Sequence, residues 1–184
     1  MKIIADRIAT HLVENQVITL GEQAWCAYGL QKRMETGVTL LLLLAVGGVL
    51  RSVPCAFVFT VALLVLRVRT NGYHAKSYAR CLFASVLTEA LSMLALPFFS
   101  YATLLVLLLG SLFVILAVGC VNDERIHFTA EELQAAKRRA RLCGAALGVC
   151  AVAVSNFSLF LFGSIVLAVA MAAFSLLVVA TQKQ

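Results

Sequence analysis

Between Tyr101 and Val121 the chain carries no charged side chain. Wound as a helix, a run of that length matches a hydrocarbon layer about 30 Å thick. Further apolar segments cover about 37–50, 53–68, 79–97, 141–156 and 158–180. Hydrophobic residues make up 62% of the chain and charged residues 13%, against roughly 45–50% and about 25% in soluble domains. Lipid is the solvent that accommodates this excess. The expected fold is all-α and polytopic, with about six apolar helices, the first two short. A single membrane-embedded domain is expected over 1–184, with about 1–34 as an amphipathic N-terminal segment and about 37–180 as the transmembrane bundle. Met1 to Gly37 lacks the continuous apolar core of a signal peptide, so the first span is expected to insert uncleaved.

Charge orients the bundle. The first two apolar segments are separated by Arg51-Ser52-Val53-Pro54, where proline and polar residues break a helix. They form either a tight hairpin or one long kinked helix. With a hairpin, and with Met1 to Thr36 in the cytoplasm, Lys32, Arg33, Arg67, Arg69, Lys76, Arg80, Arg125, Lys137, Arg138, Arg139, Arg141 and Lys183 fall inside and only Arg51 outside. A kinked single span would put the 67–80 cluster opposite Lys32 and Arg33. The positive-inside rule prefers the hairpin and places both termini in the cytoplasm. It also accounts for the net charge of +6 without a nucleic-acid partner.

Local signals add detail. Met1, Ile4, Ile8 and Leu12 recur at helical spacing opposite Lys2, Asp6 and His11, which predicts an amphipathic helix from Met1 to about Asn15 on the cytoplasmic leaflet. Thr129 and Glu132 have the spacing of a capping box and predict a helix through Lys137 to Arg141 into the fifth segment. Gly144 and Gly148, with Ala140 and Ala151, form a small-residue face suited to packing within the bundle or against a second copy in a homodimer. Cys26, Cys55, Cys120, Cys143 and Cys150 sit in or beside apolar runs without CxxC spacing. They read as reduced, buried thiols, and no metal or cofactor is expected.

The sixth cysteine differs. Cys81 follows His74 by seven residues in the basic connector RTNGYHAKSYARC. An imidazole can take a thiol proton and free the thiolate as nucleophile. On one straight helix the two side chains would stand about 10 Å apart along the axis, so contact requires a break. Asn71-Gly72 is a turn dipeptide and Ser77 a candidate N-cap. A helix starting at Ser77 would set Cys81 near its positive end, beside Arg80, with His74 folding back from the loop. The bland alternative is an interfacial histidine and a small helix residue.

The stretch Arg67…Gly72-Tyr73-His74-Ala75…Ser77…Arg80-Cys81 resembles the signature of the AgrB (accessory gene regulator B) family, membrane-embedded cysteine endopeptidases of bacterial quorum sensing. Chain length, the N-terminal amphipathic segment, the order of spans and the charged loop Asn122 to Arg141 share in the resemblance. Members often carry prolines in that loop, and this chain has none there. The resemblance implies a bacterial plasma-membrane protease that removes the acidic C-terminal tail of a small amphipathic pre-peptide. Cys81 matches the family's nucleophile and His74 its general base. The implied intermediate is a thioester on Cys81, and the implied product a thiolactone signalling peptide. Arg67, Gly72 and Ser77 match supporting positions. Lys137, Arg138 and Arg139 could attract the acidic tail, although positive-inside topology alone explains such residues.

Glu89 stands within the third apolar segment, where a carboxylate is costly. It would line a substrate groove, pair inside the bundle or carry a proton. Asn71, Ser77, Asp123 and Glu124 are candidates to orient His74, and backbone amides around Ser77 to Cys81 are candidates for the oxyanion hole. His11 is expected on the polar face of the surface helix and His127 in a solvated loop. The rival function is a non-enzymatic membrane exporter or scaffold for a signalling peptide, in which Cys81 is inert.

Overall fold

The structure is a computed structural model and describes residues 1–71, 77–122 and 128–181. Among these residues the secondary structure is helical: α1 (Lys2–Glu14), α2 (Gln23–Leu50), α3 (Val53–Thr70), α4 (Tyr78–Ala95), α5 (Tyr101–Val118), α6 (Ala130–Ser155) and α7 (Leu159–Thr181). Short 3-10 turns lead into α2 and follow α4. Five helical stretches are long and apolar enough to cross a membrane: Leu20–Leu50, Val53–Thr70, Tyr78–Phe98, Tyr101–Val118 and Leu159–Thr181. The chain is a multi-pass, all-α membrane protein.

One expectation needs correction. The first apolar helix is not short, because 37–50 is only the end of the 28-residue α2. Residues 23–34 therefore belong to this helix rather than to a separate amphipathic segment. Polar residues interrupt its apolar pattern without interrupting the helix. Glu35 accepts from Gln31 Nε2 at 2.7 Å and Lys32 Nζ at 3.0 Å, one turn back. The predicted 141–156 segment is the C-terminal part of α6, a 26-residue helix packed against α3, α5 and α7 whose basic run keeps it out of the most apolar set. Arg138, Arg139 and Arg141 stand in its N-terminal half, ahead of the apolar stretch.

The chain divides into two compact units, Met1–Leu42 and Leu43–Gln184. In the first, α1 forms where its periodicity predicts. Met1, Ile4 and Ile8 remain exposed, as an apolar face on a lipid surface would. Asn15 closes α1, and Gln16 follows in the left-handed region at φ 57°.

In the second unit α7 is the central element, packed by α3, α5 and α6. Phe162, Val166, Val169, Ala172 and Leu176 of α7 join Leu66, Leu104, Leu108 and Ile115 in one buried cluster. A second cluster joins Phe59 and Ala62 of α3 to Met93 of α4 and Ala168 of α7. The small-residue face of α6 is used inside this unit. A methyl group added at Gly144 would come 2.9 Å from Ile115, and one at Gly148 2.7 Å from Leu112. These glycines let α6 approach α5 closely, as small residues do between membrane helices.

The ends of the bundle differ in charge. Ser52 breaks the chain before α3 by accepting from the Cys55 amide, and the Arg51 guanidinium stacks over the Phe160 ring at 3.7 Å. At the other end Asn71 Nδ2 donates to Val121 O at 3.1 Å, joining the C-terminal ends of α3 and α5. Gly119 turns the chain after α5 at φ 74°, with the Lys137 side chain of α6 against it. Arg141 donates to Ala117 O there at 3.2 Å. Arg67, Arg69, Arg80, Lys137 and Arg141 thus gather at one end of the unit.

Candidate active site at the basic end of the bundle

The expected break before Cys81 has the expected local cause. Asn71 adopts the left-handed conformation at φ 51° and ends α3, a role its short polar side chain tolerates. Ser77 is extended, and its hydroxyl accepts from the Arg80 amide at 3.4 Å as the N-cap of α4. Cys81 therefore lies in the first turn of α4, where its amide donates to Ser77 O at 3.1 Å. The amides of Arg80 and Cys81 are thus engaged within the helix start, which removes them from the expected oxyanion hole. Gly72 and His74 lie outside the described residues, as do Asp123, Glu124 and His127.

Cys81 is half-buried, and its sulfur meets a cation from the neighbouring helix. Arg67 Nη2 of α3 donates to Cys81 Sγ at 3.3 Å. Arg67 Nη1 donates to Ser85 Oγ at 3.3 Å. Ser85 in turn donates to Cys81 O at 2.9 Å, one turn back on α4. The two nitrogens of one planar guanidinium thereby fix two positions of α4. A lysine, with a single point charge, could not reproduce this fork. The thiolate is the nucleophilic form of cysteine, and a cationic donor at the sulfur is the environment reactive cysteines use.

A cavity of about 330 Å³ opens beside this cluster between α3, α4 and α7. Arg67 and Ser85 line it, and most of the rest of its wall is apolar. Ser85 was missed in the sequence. Its only signal there is the four-residue spacing from Cys81, which puts both on one face of a helix.

The other candidates lie elsewhere. Glu89 is fully buried and is not among the residues lining the cavity. Its Oε1 accepts from Thr60 Oγ1 at 3.3 Å, and its Oε2 has no hydrogen-bond partner among the described residues. Lys137 is half-buried at the start of α6, whereas Arg138 and Arg139 are exposed. The capping box that starts α6 is present: Thr129 N and Oγ1 donate to Glu132 Oε2 at 2.9 and 3.0 Å. These bonds hold the Glu132 carboxyl below the ordinary 4.5. His11 is exposed on α1, 3.5 Å from Glu14. Among the described residues no group of His, Cys, Asp and Glu has the geometry of a metal site.

The model of one protein family, described as AgrB, accessory gene regulator B, matches residues 5–176. No curated protein and no solved structure matches the chain.

Proposed function

The chain belongs to the accessory gene regulator B family, and on that premise we propose that it is a membrane-embedded cysteine endopeptidase. Its substrate is a small amphipathic pre-peptide, and it works in quorum-sensing peptide processing at the bacterial plasma membrane. Both termini lie in the cytoplasm, and so does the basic end of the bundle. The observation that supports this reading most is the Arg67 guanidinium on Cys81 Sγ, at the edge of a cavity large enough for part of a peptide.

In the proposed reaction His74 takes the proton from the Cys81 thiol, and the sulfur attacks the scissile carbonyl. The carbonyl electrons move onto oxygen, and the oxyanion needs donors in place before it forms. Arg67 carries N–H groups beside the sulfur and is the donor we assign. As the intermediate collapses the C–N bond breaks, and His74 returns its proton to the leaving amine. The C-terminal tail departs, and the N-terminal part remains as a thioester on Cys81. A thiol of that same peptide then attacks the thioester carbonyl. A thiolactone forms and the Cys81 thiol is restored. One thioester replaces another, so the ring closes without a separate energy source. Water would hydrolyse the acyl-enzyme, and the apolar wall beside the sulfur limits its access.

Exposed Arg138 and Arg139, with Lys137, supply charge that attracts an acidic tail. A cleavage assay in proteoliposomes tests the reading, using a short pre-peptide encoded beside the gene. Cys81→Ser and His74→Ala are both expected to lower cleavage by at least about a thousandfold. Undiminished processing by both variants would leave the exporter or scaffold function in its place.

A further inference from the structure

We infer that the cavity between α3, α4 and α7 is the acyl-side specificity pocket, which receives the bulky apolar side chains just before the cleaved bond. This rests on Cys81 being the acylated nucleophile. The acyl group is then tethered to Sγ by a covalent bond, so the residues that end it lie within a few ångströms of the sulfur. From that position the cavity is the adjoining space. The guanidinium that touches Sγ at 3.3 Å is itself part of the cavity wall, and so is Ser85, which the same guanidinium holds.

The wall chemistry selects the occupant. Leu63 of α3 and Met171, Phe174 and Val178 of α7 present aliphatic, thioether and aromatic surface. Methionine adapts to side chains of different shape. Among the described residues of the lining the charged one is the cation Arg67, and none is a carboxylate that would balance a substrate lysine or arginine. Near the sulfur the pocket therefore admits apolar side chains and repels cationic ones. Its volume of about 330 Å³ lies at the low end of the roughly 300–1,000 Å³ typical of small-molecule pockets. That is room for one or two large side chains and not for a folded peptide. The acidic tail leaves with the amine and need not enter. Specificity for the retained part then resides on α7, a helix that supplies neither Cys81 nor His74.

Defined thioesters test this without knowledge of the natural peptide. N-acetyl dipeptide benzyl thioesters ending in Gly, Leu, Phe or Lys are incubated with the full chain in proteoliposomes. The Cys81 sulfur attacks the thioester carbonyl, the bond from that carbonyl carbon to the benzylthio sulfur breaks, and benzyl mercaptan leaves with the proton. Acylation is followed by intact mass, with Cys81→Ser as the background from other cysteines. Each rate is divided by that of free glutathione, which removes differences in intrinsic reactivity. Leu and Phe thioesters are expected to acylate Cys81 at least about tenfold faster than the Gly thioester, and the Lys thioester more slowly than Gly. Ala84→Leu, which fills the cavity from α4, should abolish the advantage of Leu and Phe over Gly. Phe174→Ala should weaken the preference for Leu and strengthen that for Phe. Equal normalised rates for all four wild-type reactions would overturn the pocket while leaving the nucleophile in place, and such flat selectivity is what a cavity filled by a phospholipid chain would give. No wild-type acylation above the Cys81→Ser background would instead overturn the nucleophile reading on which the pocket rests.

Discussion

Helix α4 holds polar groups at two levels, and they are treated in opposite ways. Cys81 and Ser85 lie near its start, half-buried or buried beside a cavity, with Arg67 of α3 bridging them. Glu89 lies eight residues beyond Cys81, about 12 Å along the axis. There Thr60 donates to the carboxyl, and the backbone of α2 presses close because residue 47 is glycine. A polar side chain at membrane depth is expensive unless it is paired or put to use. The first level has a charge, a thiol and open space, which the proposed chemistry requires. The second has a carboxyl sealed among Thr60, Gly47 and Ala56, which is the arrangement of a structural contact. Residue type alone would rank the two alike as intramembrane functional candidates, and packing separates them.

Arg67→Lys keeps the charge and loses the fork that reaches both Cys81 and Ser85. Peptide cleavage is expected to fall by about 100-fold, read as kcat on protein that still elutes as a folded species. Retention of full activity would detach the guanidinium from the chemistry.

At the sealed level the expected effects are on stability. A methyl group at Gly47 would come 2.5 Å from Glu89 Oε1 and 2.8 Å from Ala56 Cβ. Gly47→Leu is therefore expected to destabilise the fold by about 1–3 kcal/mol, measured by thermal unfolding in detergent. The folded fraction should acylate at the wild-type rate. Glu89→Gln keeps an oxygen for Thr60 and removes the ionisable acid. Its cleavage rate should stay within about twofold and its stability within about 1 kcal/mol of wild type. A hundredfold loss of cleavage would move Glu89 into the reaction and erase the distinction between the levels.

The smallest effect concerns the cap of α6. The Glu132 carboxyl is depressed below 4.5 by the Thr129 amide and hydroxyl. A depressed acid contributes its stabilisation fully above the unfolded value and loses it as pH falls through the folded value. Hydrogen exchange at the Glu132 and Leu133 amides, corrected for intrinsic pH dependence, should show protection falling in wild type as acid protonates the depressed Glu132 carboxyl. In Glu132→Gln that acid-dependent change should be absent.

The parts of this arrangement visible in the sequence are those written in local chemistry. Ser77, Thr129 and Ser52 each stand where a hydroxyl can take a helix-start amide, and each does so. The turn at Asn71 is legible for the same reason, since a short amide tolerates the left-handed conformation. The start of α2 is less legible because hydropathy registers polarity and not helicity. Gln31, Lys32 and Glu35 look like a boundary by composition, yet their hydrogen bonds lie within a continuous helix. Arg67 is marked in the sequence by a family signature, whereas its contact with sulfur depends on how α3 lies against α4. Ser85 was illegible because a serine bonding back to a carbonyl four residues earlier is commonplace in helices. Only the guanidinium from another helix gives it a place in the site. The α7 wall of the cavity was hidden for the opposite reason, since Met171, Phe174 and Val178 look like any lipid-facing residues until α3 and α4 are set beside them.

The most direct measurement is the intact mass of wild-type protein quenched shortly after mixing with its pre-peptide in proteoliposomes, compared with Cys81→Ser. The predicted result is an adduct of the N-terminal peptide fragment on wild-type Cys81, released by hydroxylamine and absent from the variant. Cleavage that continues in Cys81→Ser, with no adduct on the wild-type sulfur, would contradict the thioester mechanism and the nucleophile assigned to it.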